Sequence, residues 1–365
     1  MQNKILINTG FYLLLLLAFS ITIFPIASYL LALVVFAIWF ADFLIFREPS
    51  VLERPLFYPI VGLNFFILLS WILSRIHGGD SHLLVLGVPF LFYLIIPGFV
   101  VTGEQRKMLL WTFIGGVVLS TGFAFSNWWS FAPDYMEAFL IKQPLLSLIV
   151  VAFCIVAGFY AEAPDFRDRL FLGLVALPFA AAMILSLDKA ATMALFLSLL
   201  LVALIKGRDV LLPTAAMTLL LIVVFAGIGY FTESKLALKE YAVFVLNPFE
   251  RIGDSPHVLA NAGFFGDATL DSGIGKADYS GDYFFLGLIT RSGPPVFLLI
   301  LWILIERARE SFFKRRKVTD VEVRSYHMSV LLIIFALIIL NTYGNAFEFP
   351  QVLLISSFIL GVSEI

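Results

Sequence analysis

Residues 144–161 read PLLSLIVVAFCIVAGFYA, an uncharged run bounded by Lys142 on one side and by Arg167 and Arg169 on the other. A helix needs about 20 predominantly apolar residues to cross the hydrocarbon of a bilayer. The run has no period-two alternation of the kind a transmembrane β-strand shows. It therefore reads as a membrane-spanning helix, and the same pattern recurs along the whole chain. The spans are expected at 5–24, 26–46, 56–75, 83–102, 108–126, 144–161, 170–187, 190–205, 210–231, 283–305, 328–346 and 349–363. The first two form a hairpin turning at Phe24-Pro25, and the seventh and eighth are separated only by Asp188-Lys189. The fold class is thus all-α: a polytopic membrane helix bundle of about 12 transmembrane helices, with residues 1–365 as one membrane domain.

Composition agrees. Of the 365 residues, 61% are hydrophobic and only 14% are charged, against roughly 25% charged in soluble domains. The charges cluster between the apolar runs. The net charge of −2 says nothing about nucleic acid, but no basic domain exists, and no nucleic-acid partner is expected. The single cysteine, Cys154, lies inside an apolar run, so it offers neither an intramolecular disulfide nor a metal constellation. The N-terminal apolar run continues past Pro25 without a small-residue cleavage site, and is expected to be a span and not a cleaved signal.

Lysine and arginine set the expected orientation, because cytoplasmic loops carry the excess. With the N-terminus in the cytoplasm, sixteen of the 24 basic residues fall in cytoplasmic loops and eight outside. The cytoplasmic set includes Arg106, Arg169, Lys206 and a dense loop from Arg307 to Arg324; the outer set includes Arg75, Lys189, Arg251 and Arg291. Both termini are then cytoplasmic. The outer loop 232–282 is long for a compact fold, and such loops are usually functional or disordered. Its aromatic residues, Tyr241, Phe244, Phe249, Phe264 and Phe265, equip it to pack over the outer mouth of the bundle, partly as helix.

Charges at membrane depth are candidates for function. Asp188 and Lys189 occupy the tight outer turn between two spans; the alternative is a self-neutralising pair that caps helix ends. Arg251 stands in the long loop behind Asn247-Pro248-Phe249-Glu250. A guanidinium grips a diphosphate with paired hydrogen bonds, whereas a solvated loop arginine would pair with Glu250 or Asp254. His257 is a second loop candidate. Asp282 enters the tenth span in Ser280-Gly281-Asp282-Tyr283, where it can be a helix N-cap, a general base, or both. Arg291 lies nine residues on, before Ser292-Gly293-Pro294-Pro295, a sequence that should distort the helix. Arg75, His77, Asp80 and His82 ring the outer end of the third span, as a binding rim or as an ordinary interfacial turn. No Walker loop, dinucleotide fingerprint, zinc spacing or nucleophile elbow is present in the sequence.

Taken in order, these parts resemble the bacterial polytopic O-antigen and exopolysaccharide polymerases and O-antigen ligases. Ile184-Leu-Ser-Leu-Asp-Lys-Ala-Ala-Thr-Met-Ala-Leu195 is similar to that superfamily's Ser-Arg-Gly-Ala outer turn. Asp282-Tyr-Phe-Phe-Leu-Gly-Leu-Ile-Thr-Arg-Ser-Gly293 is similar to its His-Asn-x-Tyr-Leu segment, and Phe349-Pro350 through Gly361 resembles its ending. Lys189 stands where an arginine is usual, and Asp282 where ligases carry histidine, which turns the expectation from ligase toward polymerase.

The resemblance implies a metal-independent glycosyltransferase of GT-C-like fold in the bacterial inner membrane, with its active site facing the periplasm. The donor would be an undecaprenyl-diphosphate-linked oligosaccharide, with no cofactor; a polysaccharide chain-length regulator and membrane lipids are the expected partners. Asp282, Arg251 and Lys189 are then the catalytic candidates, with Arg291, His257, Arg75 and Asp188 lining the substrate. A ligase acting on lipid A core is the alternative within the class. A flippase or transporter is the rival outside it, and would need paired broken helices in two related halves; only Gly293-Pro294-Pro295 offers a break.

Overall fold

A computed structural model describes residues 2–46, 54–76, 84–130, 143–186, 188–207, 288–289, 292–342, 346–348 and 350–362. The described residues are helical, with no strand among them. In chain order the α-helices are α1 (Gln2–Ile23), α2 (Pro25–Phe46), α3 (Phe57–Ile76), α4 (Leu84–Phe99), α5 (Gly103–Ser130) and α6 (Gln143–Glu162). They continue as α7 (Phe166–Leu185), α8 (Lys189–Lys206), α9 (Pro294–Lys317), α10 (Val321–Thr342) and α11 (Pro350–Val362). Six of them, α1, α2, α5, α6, α8 and α10, are long and apolar enough to cross a membrane. In hydrocarbon each backbone N–H and C=O must find its partner within the chain, which is why apolar runs of this length become helices. The expected span 210–231 and the outer loop 232–282 lie outside the described residues.

The bundle has a centre and a rim. In both α6 and α10, 78% of the spanning stretch is buried by the rest of the chain, against 17% in α2. On the rim, Leu30, Leu33, Phe65, Leu174 and Leu204 are exposed, the surface that lipid tails would cover. Lipid tails are as apolar as leucine, so helices in a bilayer are held by close packing and hydrogen bonds more than by the hydrophobic effect. The α6–α10 crossing shows how. A Cβ placed on Gly158 would lie 2.2 Å from Ser329 Oγ and 2.6 Å from Ser329 N, so only glycine lets the two backbones approach this closely. The Ser329 hydroxyl then reaches Ile155 O at 3.0 Å across the crossing, with Ser325 O at 2.9 Å on its own helix.

Turns form where the sequence interrupts a run. α1 gives way to α2 at Phe24, and Pro25 opens the new helix at a position where its missing N–H costs nothing. Asn341 carries its donor to Leu337 O at 2.7 Å and accepts from Phe347 N at 2.8 Å, shaping the link to a 3-10 turn at Ala346–Glu348 ahead of α11. The distortion expected before α9 is present. Gly293 has φ 82° and is followed by Pro294 at the first helical position. The carbonyl of Ser292 accepts from the Ser70 hydroxyl of α3 at 3.2 Å.

One expectation is corrected. The dense basic stretch Arg307–Arg324 is not a loop: α9 runs to Lys317, and α10 starts at Val321 after a turn of residues 318–320. The reason is local. Arg307–Glu310, Glu306–Arg309 and Glu310–Lys314 are spaced three or four apart and pair along one helix.

Replacing Gly158 with valine should force α6 from α10 and cost about 1–3 kcal/mol, the range for overpacked cores. Gly173→Ala, where an added Cβ meets no atom within 4 Å, should hold or raise stability. Unfolding of the two purified variants in mild detergent provides the comparison.

Candidate functional site

Two polar regions stand at opposite ends of the bundle. α8 joins them: Lys189 opens it and Lys206 closes it, about 26 Å apart at 1.5 Å per residue.

At the first end, Asp188 is the N-cap of α8. Its backbone is extended (φ −73°, ψ 118°), and Oδ1 accepts from Ala191 N at 2.7 Å. The Asp188 carbonyl accepts from Thr192 N at 3.0 Å and from its hydroxyl at 2.7 Å. On the preceding side, Ser186 Oγ donates to Met183 O at 2.8 Å and lies 3.4 Å from Asp188 N. Burial raises the Asp188 carboxyl above its ordinary value, opposed by the backbone N–H groups of Ala191 and Ala190. Asp188 is therefore the cap of α8, the capping part alone of the simpler sequence reading. The adjacent Lys189, on the first turn of α8, is partly exposed.

Arg75 ends α3, exposed, with its guanidinium 5.8 Å from the centre of the Trp71 ring. α3 packs on α4 and α9, while α8 packs on α6, α7 and α10, so Arg75 and Lys189 stand on helices with different principal neighbours. Asp282, Arg251, His257 and Arg291 lie outside the described residues. Nothing in the structure therefore bears on their meeting Lys189.

The second end holds a cluster that the motif reading missed. Glu162, the last residue of α6, is buried, its side chain 1% exposed. It accepts from Lys206 Nζ on α8 at 2.5 Å and from Arg315 Nε on α9 at 2.8 Å. Arg324 Nε of α10 stands at 3.6 Å, an ion pair beyond hydrogen-bond length. Arg169 of α7 donates to Ala163 O at 2.9 Å, satisfying a carbonyl just past the end of α6. Five helices are thus tied by one carboxylate and its neighbour. All of these residues come from loops that the charge pattern had placed on one side, and the structure brings those loops together.

A further polar group accompanies this cluster. Arg307 is fully buried, bonded to Glu310 at 2.5 Å and to Leu360 O at 3.1 Å, and lies over the Tyr93 ring. Burial by itself would raise the Glu310 carboxyl, but Arg307 and Lys314 outweigh it and hold it below its ordinary value. Among the described residues no group that could hold a metal ion is formed.

The i, i+3 and i, i+4 pairing from Glu306 to Lys314 was the available signal for the α9 extension. Glu162, a lone carboxylate at the end of an apolar span, offered no pattern of its own.

The sequence matches no protein-family model, and no curated protein matches it significantly.

Two outcomes follow from the geometry. Glu162→Ala removes the shared counter-charge of three cations. It should cost about 2–3 kcal/mol, below the roughly 3–5 kcal/mol of breaking a fully buried pair, because Lys206 and Arg324 reach solvent. Asp188→Ala should lose about 1 kcal/mol of capping, whereas Asp188→Asn should not, since asparagine caps as well. Asp188→Asn should also remove a pH dependence. With its folded pKa raised, the ionised Asp188 opposes folding, so the wild type loses stability relative to Asp188→Asn as pH rises above the unfolded aspartate value of about 4. Detergent unfolding at several pH values tests both.

Proposed function

We propose that this chain is a membrane glycosyltransferase that polymerises lipid-linked repeat units of a surface polysaccharide on the outer side of the bacterial inner membrane. The observation that carries the reading is the polarity of the bundle: Lys189 stands on a capped, tight turn at the end opposite the basic cluster. Under the positive-inside rule the basic cluster faces the cytoplasm, which puts Lys189 at the outer headgroup level. A donor with its polyprenyl tail in the bilayer and its diphosphate at that level meets an ammonium there. The broken helix before α9, with Gly293 at positive φ, supports the same reading, since irregular backbone at membrane depth is tolerated where it is buried or lines a cavity. Twelve spans, a GT-C-like arrangement and cytoplasmic termini complete the proposal.

The division of labour follows from the chemistry. Negative charge grows on the leaving diphosphate, where fixed cations contribute most; Lys189 and Arg251 supply them. Asp282 takes the proton of the acceptor hydroxyl as the new glycosidic bond forms and the bond to the diphosphate breaks. A carboxylate is ionised at neutral pH without assistance. Arg291, His257 and Arg75 line the glycan, and Asp188 positions Lys189 from the cap of α8.

Loss of the gene should leave single repeat units where the parent strain shows ladders on a polysaccharide gel. Lipid-linked polymer accumulating without transfer to lipid A core would mark a ligase instead, and an unchanged profile would refute both. In purified protein, Asp282→Asn should abolish transfer with donor binding nearly intact. Lys189→Ala should weaken binding and turnover together, and Lys189→Arg should be tolerated. Near-normal turnover by Asp282→Asn would reduce that residue to a helix cap. Orientation has its own test. Cys154 is fully buried, so a cysteine introduced at Lys317 or Lys189 can be labelled over a silent background. Lys317→Cys should react only from the cytoplasmic side, and Lys189→Cys only from the outside.

A further inference from the structure

The cations around Glu162 exceed what one carboxylate can satisfy. Lys206 and Arg315 each take one of its oxygens at hydrogen-bond length. Arg324 is left at 3.6 Å, and its Nε is buried without a hydrogen-bond partner among the described residues. Helix dipoles do not remove the surplus. The C-terminal ends of α6, α8 and α9 add about half a negative charge each, and the start of α10 adds about half a positive one. Lys206, Arg315 and Arg324 against Glu162 leave two positive side-chain charges in excess, which these dipoles reduce to about one.

The surplus has a direction. Side-chain exposure rises from 12% in Arg315 to 20% in Lys206 and 35% in Arg324. The cluster is closed on the Glu162 side and open at Arg324. It sits where α6, α8 and α9 end and α10 begins, which is the level at which apolar spans give way to headgroups. Nearby on the same basic tip, Phe313 is exposed beside the exposed Arg316 and Lys317. A phenyl ring and long cationic side chains sharing one helix end suit an apolar–polar boundary, with the ring in the acyl layer and the charges reaching toward headgroups.

We propose that Arg324 and Lys206 hold the phosphate of an anionic phospholipid headgroup at this end of the bundle. The guanidinium fork of Arg324 faces two phosphate oxygens, the geometry in which arginine binds phosphate most tightly. Lys206 adds a point charge from the neighbouring helix. Glu162 holds both cations in place from behind, so the site is pre-formed. A basic pocket between helix ends is a recognised type of lipid headgroup site. The lipid joins α8 to α10 at their open edge, where the protein's own carboxylate falls short. This site is independent of the glycan-transfer proposal and lies at the other end of the bundle.

The test uses the full chain, purified and delipidated in neutral detergent, titrated with phosphatidylglycerol or phosphatidylcholine. Bound lipid is counted by native mass spectrometry and stability is followed by thermal unfolding. Phosphatidylglycerol should bind in preference and raise the unfolding temperature. Arg324→Gln and Lys206→Gln should each weaken its binding about five-fold, the effect of about 1 kcal/mol per cation near an anionic lipid surface. Arg324→Lys should fall between, having charge without the fork. Lys107→Gln, an exposed cation of α5 outside the cluster, should change binding less than about two-fold. The measured quantity is the difference between the two lipids for each variant, so a folding defect common to both cancels. Equal binding of the two lipids would overturn the proposal. So would an equal loss in Lys107→Gln, which would mean diffuse surface attraction. Full competition by millimolar glycerol phosphate would overturn it as well, because the site would then serve a free phosphate.

Discussion

The close approach of α6 and α10 is the constraint from which the rest of the bundle is built. Because Gly158 carries no side chain, Ser329 can lay its backbone against it and reach Ile155 O. In a bilayer that contact has no hydrophobic drive to replace it, so a hydrogen bond and van der Waals fit must set the register. Once it is set, Glu162, one turn beyond Gly158 on α6, meets Arg324, little more than one turn before Ser329 on α10. Lys206 and Arg315 then arrive from α8 and α9. The ionic cluster is therefore a consequence of the crossing, and the order of causes runs from a glycine to a charge network.

The two ends of the bundle differ in kind. At the Glu162 end, side chains from four helices interlock through charges around a single carboxylate, and Arg169 of α7 bonds the neighbouring Ala163 carbonyl. Such networks are rigid because moving one member leaves another without its counter-charge. At the opposite end the described residues contribute uncharged contacts and a cap: Asp188 on the first turn of α8, the Ser70 hydroxyl of α3 on the Ser292 carbonyl, and Gly293 at positive φ.

The all-helical class was legible because several apolar runs are long enough to cross a bilayer, as the run at 144–161 illustrates. The turns at Phe24-Pro25 and at Asp188-Lys189 were legible because proline and a charged pair interrupt otherwise apolar sequence, and the break at Gly293 because glycine precedes two prolines. The helical tip of α9 is less legible, because concentrated arginine and lysine resemble a loop while their three- and four-residue pairing with glutamates favours helix. The Glu162 cluster was not legible at all. Its three cations lie 44 to 162 residues from Glu162 in the sequence, and no local pattern ties a carboxylate to cations on other helices. Of the proposed site, only Lys189, Asp188 and Arg75 fall among the described residues, and Asp188 proved to have a structural task that its neighbours Ala191 and Thr192 define.

That structural task bears on how the outer turn could serve a ligand. A cap that accepts from Ala191 N and whose carbonyl takes both the amide and the hydroxyl of Thr192 fixes the first turn of α8. Fixing the first turn fixes where the Lys189 side chain starts. An ammonium on a four-carbon stem is otherwise a mobile charge, and ordering it on binding would cost rotamer entropy. Anchoring its backbone sets the reach of the ammonium without any contact between Asp188 and the ligand. Under the glycosyltransferase reading, Asp188 therefore acts through the position of Lys189, and a carboxylate beside the diphosphate is no contradiction: its oxygen is turned toward Ala191 N and away from the role of competing anion.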